Sequence, residues 1–491
     1  VIIFYYDFMI EKILQDLSGS VIYFVGIKGT GMTALAEIFR SRGAIVTGSD
    51  VEDRFYTDEI LAELGIPVFI GFTAENLPES TVLLVHSAAY SPETNPEIVE
   101  AVKRNIEVLT YPEALGILSR ECMAAAVSGV HGKTTTTAIA GTLMKELGLP
   151  ASVLTGSAAA NFNGRSTLVL GEKYFIAETC EYKRNFLNFS PDYLIITSIE
   201  ADHLDYYRDF EDVLSAFIEY AQRLSDKGRL IYCADDAGAM KAVGIISSLR
   251  PDLRFYPYGF SAEGDFRISS HRQVSGRQLF RLDKFKDRDF AINVPGKHNV
   301  LNSAAAAALM TMMADDEKLD TDVESGISSG LLKFKGTKRR SEIIGQSKGI
   351  LIMDDYGHHP AAIKTTIDGL RDFYPDRRII VDFMSHTYSR TQALLDDFSD
   401  AFGSADLVLL HKIYASAREA AGTVTGRDLY KKTCEHHSNV KYFEEVMDAH
   451  GFLEEELMSG DLLVTMGAGD NWKLGYRLYR ELNEDEQGCI E

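Results

Sequence analysis

Cysteine is scarce in this chain and widely scattered. Cys122, Cys180, Cys233, Cys434 and Cys489 form no CxxC pair and no short-range framework, which speaks against a disulfide-stapled secreted scaffold and predicts free thiols in a reducing compartment, the cytoplasm. Positive charge is short too. Against 72 acidic residues stand 50 basic ones, a formal charge of -22. That balance opposes non-specific attachment to nucleic acid or to an anionic membrane, and any anionic ligand must be met by local positive charge. The apolar start, Val1 to Tyr6, is followed at once by Asp7 and lacks both a basic n-region and a long h-region. It is read as neither a signal peptide nor a membrane span, but as part of a helix running to about Leu17. There is no low-complexity tract and no strong internal repeat. What remains is a globular composition, 45% hydrophobic and 25% charged, over 491 residues, enough for two to four domains.

Three series of short β-type runs alternating with helix-like segments divide the chain. The first places strands at Val21–Val25, Ala44–Thr47, Val82–His86 and Ile106–Leu109. The second begins at Met123 and runs through Tyr174–Ala177, Tyr193–Thr197 and Leu230–Cys233 to the helical Asn299–Met313, with a β-rich excursion around Phe266 to Val294. The third has strands at Ile350–Asp354, Ile379–Phe383, Leu407–Leu410 and Leu462–Met466. The expected fold class is α/β in three domains. A Rossmann-like N-terminal domain covers 1–122, a P-loop NTPase-like central domain 123–337, and a second Rossmann-like domain 338–491.

Chemistry concentrates at Ser128-Gly129-Val130-His131-Gly132-Lys133-Thr134-Thr135, between an apolar strand and a helix. A strand that turns through glycines into a helix aims unpaired N–H groups at one point, where the helix N-terminus also favours negative charge. Lys133 can then hold terminal phosphates and Thr134 can offer its hydroxyl to Mg²⁺. The spacing is Gly-x-x-Gly-Lys-Thr, with Val127 where the strict P-loop pattern has its first glycine; the plain alternative is an ordinary strand-to-helix turn. Two strands empty into acidic loops, at Glu178 and at Glu200-Ala-Asp-His203, and both should reach the edge where the phosphate loop lies, so Glu178 and His203 can join Thr134 around a metal ion. Taken alone, His203 reads as a surface loop histidine. The first domain opens with Gly26-Ile-Lys-Gly29-Thr-Gly31, with Asp50 ending the next strand. That order is GxxGxG, so a nicotinamide cofactor is not implied. Pro295-Gly-Lys-His298-Asn299-Val-Leu-Asn302 begins a helix whose polar groups can contact a base, or else is a helix cap with Asn299 as capping residue.

Together these motifs resemble the Mur ligases, the ATP-dependent amide-forming enzymes of peptidoglycan precursor synthesis. Asp354-Asp-Tyr356-Gly-His358-His-Pro360 and Gly467-Ala-Gly-Asp470 are similar to the member that makes the first peptide attachment. The resemblance implies UDP-N-acetylmuramate, ATP and L-alanine as substrates, an acyl-phosphate intermediate, Mg²⁺ with Mn²⁺ able to substitute, and a cytoplasmic monomer or homodimer with no nucleic-acid partner and no membrane insertion. Carried over residue by residue, it implies that Gly29, Thr30, Gly31, Met32 and Thr33 lie near the sugar-nucleotide diphosphate, with Asp50 toward the nucleotide. Gly129, His131, Gly132, Lys133, Thr134 and Thr135 would surround the ATP phosphates, His298, Asn299 and Asn302 the adenine side, and Thr134, Glu178 and His203 the metal. Arg339 would contact ATP, and Arg340 would stabilise the transferred phosphoryl group together with Lys133. Tyr356, His358 and Arg390 would meet the amino acid, with His358 a positioner or proton acceptor. Three positions depart from the pattern: Phe72 for a histidine, Thr387 for an arginine, and Thr179-Cys180-Glu181-Tyr182 for a more acidic run. The nearest alternative is a ligase attaching a whole tripeptide to the same sugar nucleotide. A nicotinamide dehydrogenase would explain the first domain alone but leaves Lys133, Glu178 and His203 without a task, and a non-catalytic nucleotide-binding regulator would keep the fold while losing a catalytic group, whereas the lysine, threonine, carboxylate and histidine are all present.

Overall fold

The computed structural model describes residues 16–203, 206–274, 276–319, 322–415 and 422–488; the helix expected over the opening residues and Cys489 lie outside them. The chain packs into two compact units. One holds the chain up to His271 with Leu279–Ile292 and Val300–Lys335, the other Arg272–Gln278, Asn293–Asn299 and the chain from Gly336 onward. Three sheets organise them. Among the described residues, no helix is long and apolar enough to cross a membrane, and Cys122, Cys180, Cys233 and Cys434 are free thiols.

The first sheet contains β1 (Val21–Val25), β2 (Ile45–Asp50), β3 (Val68–Ile70), β4 (Thr81–His86) and β5 (Glu107–Thr110) in the order β3-β2-β1-β4-β5. Every pairing is parallel. Ile22, Phe24, Leu83 and Val85 are fully buried, as expected of strands covered by crossover helices on both faces. The order reverses between β1 and β4, so the helix Thr30–Ser41 and the turn after β4 open a crevice at the strands' carboxyl ends.

Ten strands form the second sheet: β6 (Met123–Ser128), β7 (Ala151–Ala159), β8 (Arg165–Val169), β9 (Tyr174–Glu178), β10 (Tyr193–Ile196), β11 (Arg229–Cys233), β12 (Arg254–Gly259), β13 (Phe266–Val274), β14 (Arg277–Leu282) and β15 (Phe290–Ile292). Their order is β15-β14-β13-β12-β11-β10-β6-β9-β7-β8, with β8 antiparallel to β7. Strand β6 is central because its side chains are small. Ala124, Ala125 and Ala126 are fully buried, so the helix Lys133–Glu146 can pack close, and Thr134 through Thr137 are buried along it. That helix begins at Lys133, directly after Gly132, which takes a left-handed conformation at its N-cap. Asn299 does not cap its helix. It lies inside Lys297–Glu317, and its Nδ2 donates to the Pro295 carbonyl at 2.6 Å.

The third sheet has β16 (Glu342–Ser347), β17 (Ile350–Asp355), β18 (Arg378–Phe383), β19 (Leu407–Leu410), β20 (Val440–Tyr442) and β21 (Asp461–Met466), ordered β16-β17-β21-β18-β19-β20. Only β16 pairs antiparallel among the pairings of this sheet. Separate apolar clusters cover its two faces, one around Met353, Val381 and Val464, the other around Ile352, Ile380 and Leu463.

Candidate active site

Strand order explains why distant residues converge on the phosphate loop. β6 lies between β10 and β9, so the loop after β6 is flanked by the loops leaving its two neighbours: Thr197 to His203 on one side and Glu178 to Tyr182 on the other. Gly129 has φ +134°, and a Cβ there would stand 2.1 Å from the Thr197 hydroxyl oxygen. Gly132 has φ +82°, with a Cβ position 2.6 Å from Asn302 Oδ1. Both glycines are therefore required by conformation and by space. The His131 N–H donates to Ser198 Oγ at 3.0 Å, and the His131 ring lies 3.6 Å from Glu200. Thr134 and Thr135 are buried in the first turn. Asn302 accepts a hydrogen bond from the Thr136 hydroxyl at 3.2 Å, which fixes it against the loop rather than beyond it. His298 falls in the second compact unit.

Lys133 is the centre of this site, and its partner is Glu181, which the sequence pattern did not single out. The ammonium lies 3.0 Å from both Glu181 oxygens and donates to the Gly129 carbonyl. Glu181 Oε1 is also 3.6 Å from His203 Nε2, and the His203 ring packs on Tyr182 with centroids 4.9 Å apart. Burial works against all three charges, but their mutual attraction outweighs it. The Lys133 and His203 pKa values are raised, and that of Glu181 is drawn down to about 2 by Lys133 and His203.

Glu178 ends β9, and its Oε2 is buried without a hydrogen-bond partner. The bare backbone of Gly156 faces it, where a Cβ would come within 2.0 Å of Oε1. A buried carboxylate oxygen with no donor suits a hard divalent cation, and the Thr134 hydroxyl and the His203 imidazole are donor types compatible with the expected metal. A cavity of about 260 Å³ joins Glu178 to the first domain, lined by Gly31, Tyr111, Thr155, Gly156 and Cys180 among others.

In the first domain, Gly29 precedes the helix Thr30–Ser41, and its carbonyl accepts from Thr33 N at 2.8 Å. The N–H groups of Thr30, Gly31 and Met32 precede any intrahelical partner, and this helix end favours negative charge. The Thr33 hydroxyl donates to the Ile27 carbonyl at 2.7 Å. Asp50 is buried and holds this loop together. Its Oδ2 accepts from Lys28 N at 2.7 Å, and its Oδ1 accepts from Val51 N at 2.8 Å and from the Tyr90 hydroxyl at 3.1 Å. Phe72 packs against Tyr90 with ring centroids 4.6 Å apart.

In the second unit the adjacent strands β17, β21 and β18 deliver Tyr356 to His358, Gly467 to Asp470, and Met384 to Arg390 to one sheet edge. Arg339 is engaged within this unit. Its Nε donates to Asp354 at 3.0 Å and its Nη2 to the carbonyls of Gly467 and Gly469 at 2.7 and 3.2 Å. Arg340 is exposed, with its guanidinium 5.0 Å from the Tyr356 ring centroid. His358 Nδ1 lies 3.0 Å from the Tyr356 carbonyl. Thr387 has φ +67°, a region that strains a β-branched residue, and it starts the helix Tyr388–Ala393 that carries Arg390. Residues Asp354 and Asp355, which tie Arg339 and Ser341 to the end of β17, were visible in the sequence only as part of a motif.

A parallel-sheet domain with a glycine-bounded anion end, a phosphate-loop lysine in a cluster of acid and histidine, and a further α/β domain carrying Tyr, His and Arg at one edge define an ATP-using ligase. The chain belongs to the Mur ligase family. Residues 21–122 match its catalytic domain, 127–310 its middle domain and 339–469 the domain described as Mur ligase, glutamate ligase domain. The UDP-N-acetylmuramate--L-alanine ligase of Treponema pallidum strain Nichols is 50% identical over 474 residues, covering 96% of this chain and 98% of that protein. Among solved structures, the UDP-N-acetylmuramate-alanine ligase of Thermotoga maritima superposes with a TM-score of 0.76 at 25% identity, covering 94% of this chain and 99% of that one. A murein peptide ligase of Psychrobacter arcticus shares the fold at a TM-score of 0.62 and 22% identity, with 94% of this chain and 99% of that one covered.

Proposed function

We propose that this chain joins L-alanine to the carboxylate of UDP-N-acetylmuramate at the expense of ATP, as a cytoplasmic step of peptidoglycan precursor synthesis. The observation that carries the reading is the 50% identity to an L-alanine ligase along nearly the whole length of both chains. The geometry agrees with the chemistry. A carboxylate is a poor electrophile, so the γ-phosphoryl group of ATP is first transferred to it. The amine then attacks the acyl carbon, the C–N bond forms as the C–O bond to phosphate breaks, and the amine loses its proton.

Each domain contributes a part, with boundaries proposed at 1–122, 123–337 and 338–491. The N-terminal turn Gly29–Thr33 holds the diphosphate, and Asp50 shapes the loop that receives the nucleotide. Gly129, His131, Gly132, Thr134 and Thr135 cradle the ATP phosphates while Lys133 neutralises charge that grows in transfer. Thr134, Glu178 and His203 would hold Mg²⁺, or Mn²⁺ in its place, which would supply charge neutralisation to the phosphates. His298, Asn299 and Asn302 serve the adenine side. Arg340 faces the transferred phosphoryl group, and Arg339, which also fixes the Gly467–Gly469 turn, contacts ATP. Tyr356 and Arg390 bind the amino acid, and His358 takes the amine proton. The enzyme works as a monomer or a homodimer.

Thr387, in place of a second arginine, favours one other reading, in which the acceptor is a tripeptide. Mass spectrometry of UDP-N-acetylmuramate incubated with ATP, Mg²⁺ and either free amino acids or the tripeptide separates them. The expected result is the L-alanine adduct with stoichiometric phosphate release. Product from the tripeptide and none from L-alanine would overturn the reading.

A further inference from the structure

Glu181 occupies an unusual place for a carboxylate. It is 2% exposed, beside a loop built to bind polyphosphate, and it already neutralises the lysine meant for that ligand at 3.0 Å to each oxygen. The turn that carries it is costly to form. Lys183 and Arg184 both adopt left-handed backbone conformations, with φ 53° and 58°, a region unfavourable for non-glycine residues. Three sets of contacts keep the turn in that shape. The Glu181 carbonyl accepts from the buried Tyr207 hydroxyl and from Arg184 N at 2.8 Å. Arg184 is anchored by Asp212 at 3.2 Å and by Glu219. Phe186 N donates to the Cys180 carbonyl at 3.0 Å, and the Phe186 ring stacks on Tyr220 at 4.4 Å. A buried, braced carboxylate is not a flexible surface acid that a ligand can push aside.

We infer that Glu181 is a specificity-determining residue that makes the site reject metal-free nucleoside triphosphate and accept the metal complex. The inference rests on the proposed function, in which Lys133 binds the ATP phosphates. A free triphosphate brings about four negative charges to a loop whose principal cation is paired, and whose partner acid cannot leave. The complex with a divalent cation carries half that charge and brings its own positive centre, which offsets Glu181 when Lys133 turns to phosphate. The same chemistry applies to any nucleoside triphosphate, so Glu181 selects for the metal rather than for the base.

Isothermal titration of the full chain with ATP, once in EDTA and once in excess Mg²⁺, tests the inference without turnover. In wild type the metal should tighten binding strongly. In Glu181→Gln, metal-free ATP should bind roughly ten- to a hundredfold tighter than to wild type, the range of one charge-assisted contact released, so the tightening by metal shrinks by that factor. Glu181→Asp, one methylene shorter, should fall between the two, and decides the matter if the Gln variant does not give a native-like melting transition. An unchanged ratio, or weaker metal-free binding in either variant, overturns the role assigned to Glu181. Failure of the wild type to bind Mg²⁺–ATP at all would instead overturn the ATP reading of the site.

Discussion

Two buried carboxylates in this chain titrate at opposite extremes through opposite balances of the same forces. Glu181 faces Lys133 and His203, and the two cations hold it down at about 2 in spite of burial. Asp354 is fully buried and meets one cation, Arg339, at 3.0 Å; burial prevails and lifts its pKa to about 6. The signs of their effects on stability differ accordingly. Between the ordinary aspartate value near 4 and about 6, the native state keeps a proton on Asp354 that the unfolded chain has released, so its contribution is complete below about pH 4 and is lost as pH rises through 6. That of Glu181 is complete above the ordinary glutamate range and is lost only as pH falls toward 2. Denaturant unfolding of wild type and Asp354→Asn from pH 4 to 7.5 should show the free-energy difference moving against wild type by on the order of 2–3 kcal/mol as pH rises. A difference that stays flat would show that Arg339 keeps Asp354 ionised throughout. At this scale the sequence singled out Lys133, Glu178 and His203 as candidates by residue type next to glycines and strand ends. It did not identify the pairing of Lys133 with Glu181, because 48 residues separate them and only the adjacency of β6 and β9 brings them together.

Elements were legible where their side chains repeat in a pattern. Apolar strands such as β1, β10, β17 and β21 stand where alternation places them, within a residue or two. Strand β7 does not show itself in sequence, because Ala151–Ala159 is largely alanine, glycine, serine and threonine, with neither β-branched enrichment nor a two-residue period. Strand β16, an antiparallel edge strand, contains Gly345 and is half-exposed, so its pattern is equally weak. Yet β7 and β8 matter to the site, since Arg165 on β8 reaches Glu37, on the helix Thr30–Ser41, and Glu63 at 2.8 Å. They brace that helix at the cavity shared with Glu178. Gly31, in its first turn, leaves no room for a side chain: a Cβ would stand 2.7 Å from the Tyr111 hydroxyl oxygen and 2.8 Å from the ring. Alanine ordinarily favours a helix, so any loss in Gly31→Ala comes from this collision. Overpacking of about 1–3 kcal/mol should raise the KM for UDP-N-acetylmuramate roughly tenfold or more, with the KM for ATP changed less than threefold. Steady-state kinetics with each substrate varied in turn measures both, and an unaltered KM for the sugar nucleotide would mean that this turn does not receive it.

For the whole molecule, the proposed reaction divides along the two compact units. The diphosphate turn, the phosphate loop, Glu178 and Glu181 all belong to the first, whereas Tyr356, His358 and Arg390 belong to the second. Three α/β series were readable from alternating strands and helices; the grouping of two sheets in one packed body was not, because it depends on helix Thr30–Ser41 meeting a hairpin with no sequence signature. The division makes the two chemical steps separable by mutation. Arg390, carried on the strained helix start at Thr387, is the cation assigned to the amino-acid carboxylate, a charge-assisted bond of about 1.5–3 kcal/mol. Arg390→Ala should therefore raise the KM for L-alanine by one to two orders of magnitude, on the order expected for that loss. Formation of the acyl phosphate needs only ATP and the sugar nucleotide. Trapped as its hydroxamate or reduced with borohydride in the absence of amino acid, it should accumulate in Arg390→Ala at a rate within a few-fold of wild type, while amide formation at low L-alanine falls. A parallel loss of acyl phosphate would place Arg390 with the phosphoryl-transfer residues and leave the carboxylate of the amino acid to another cation.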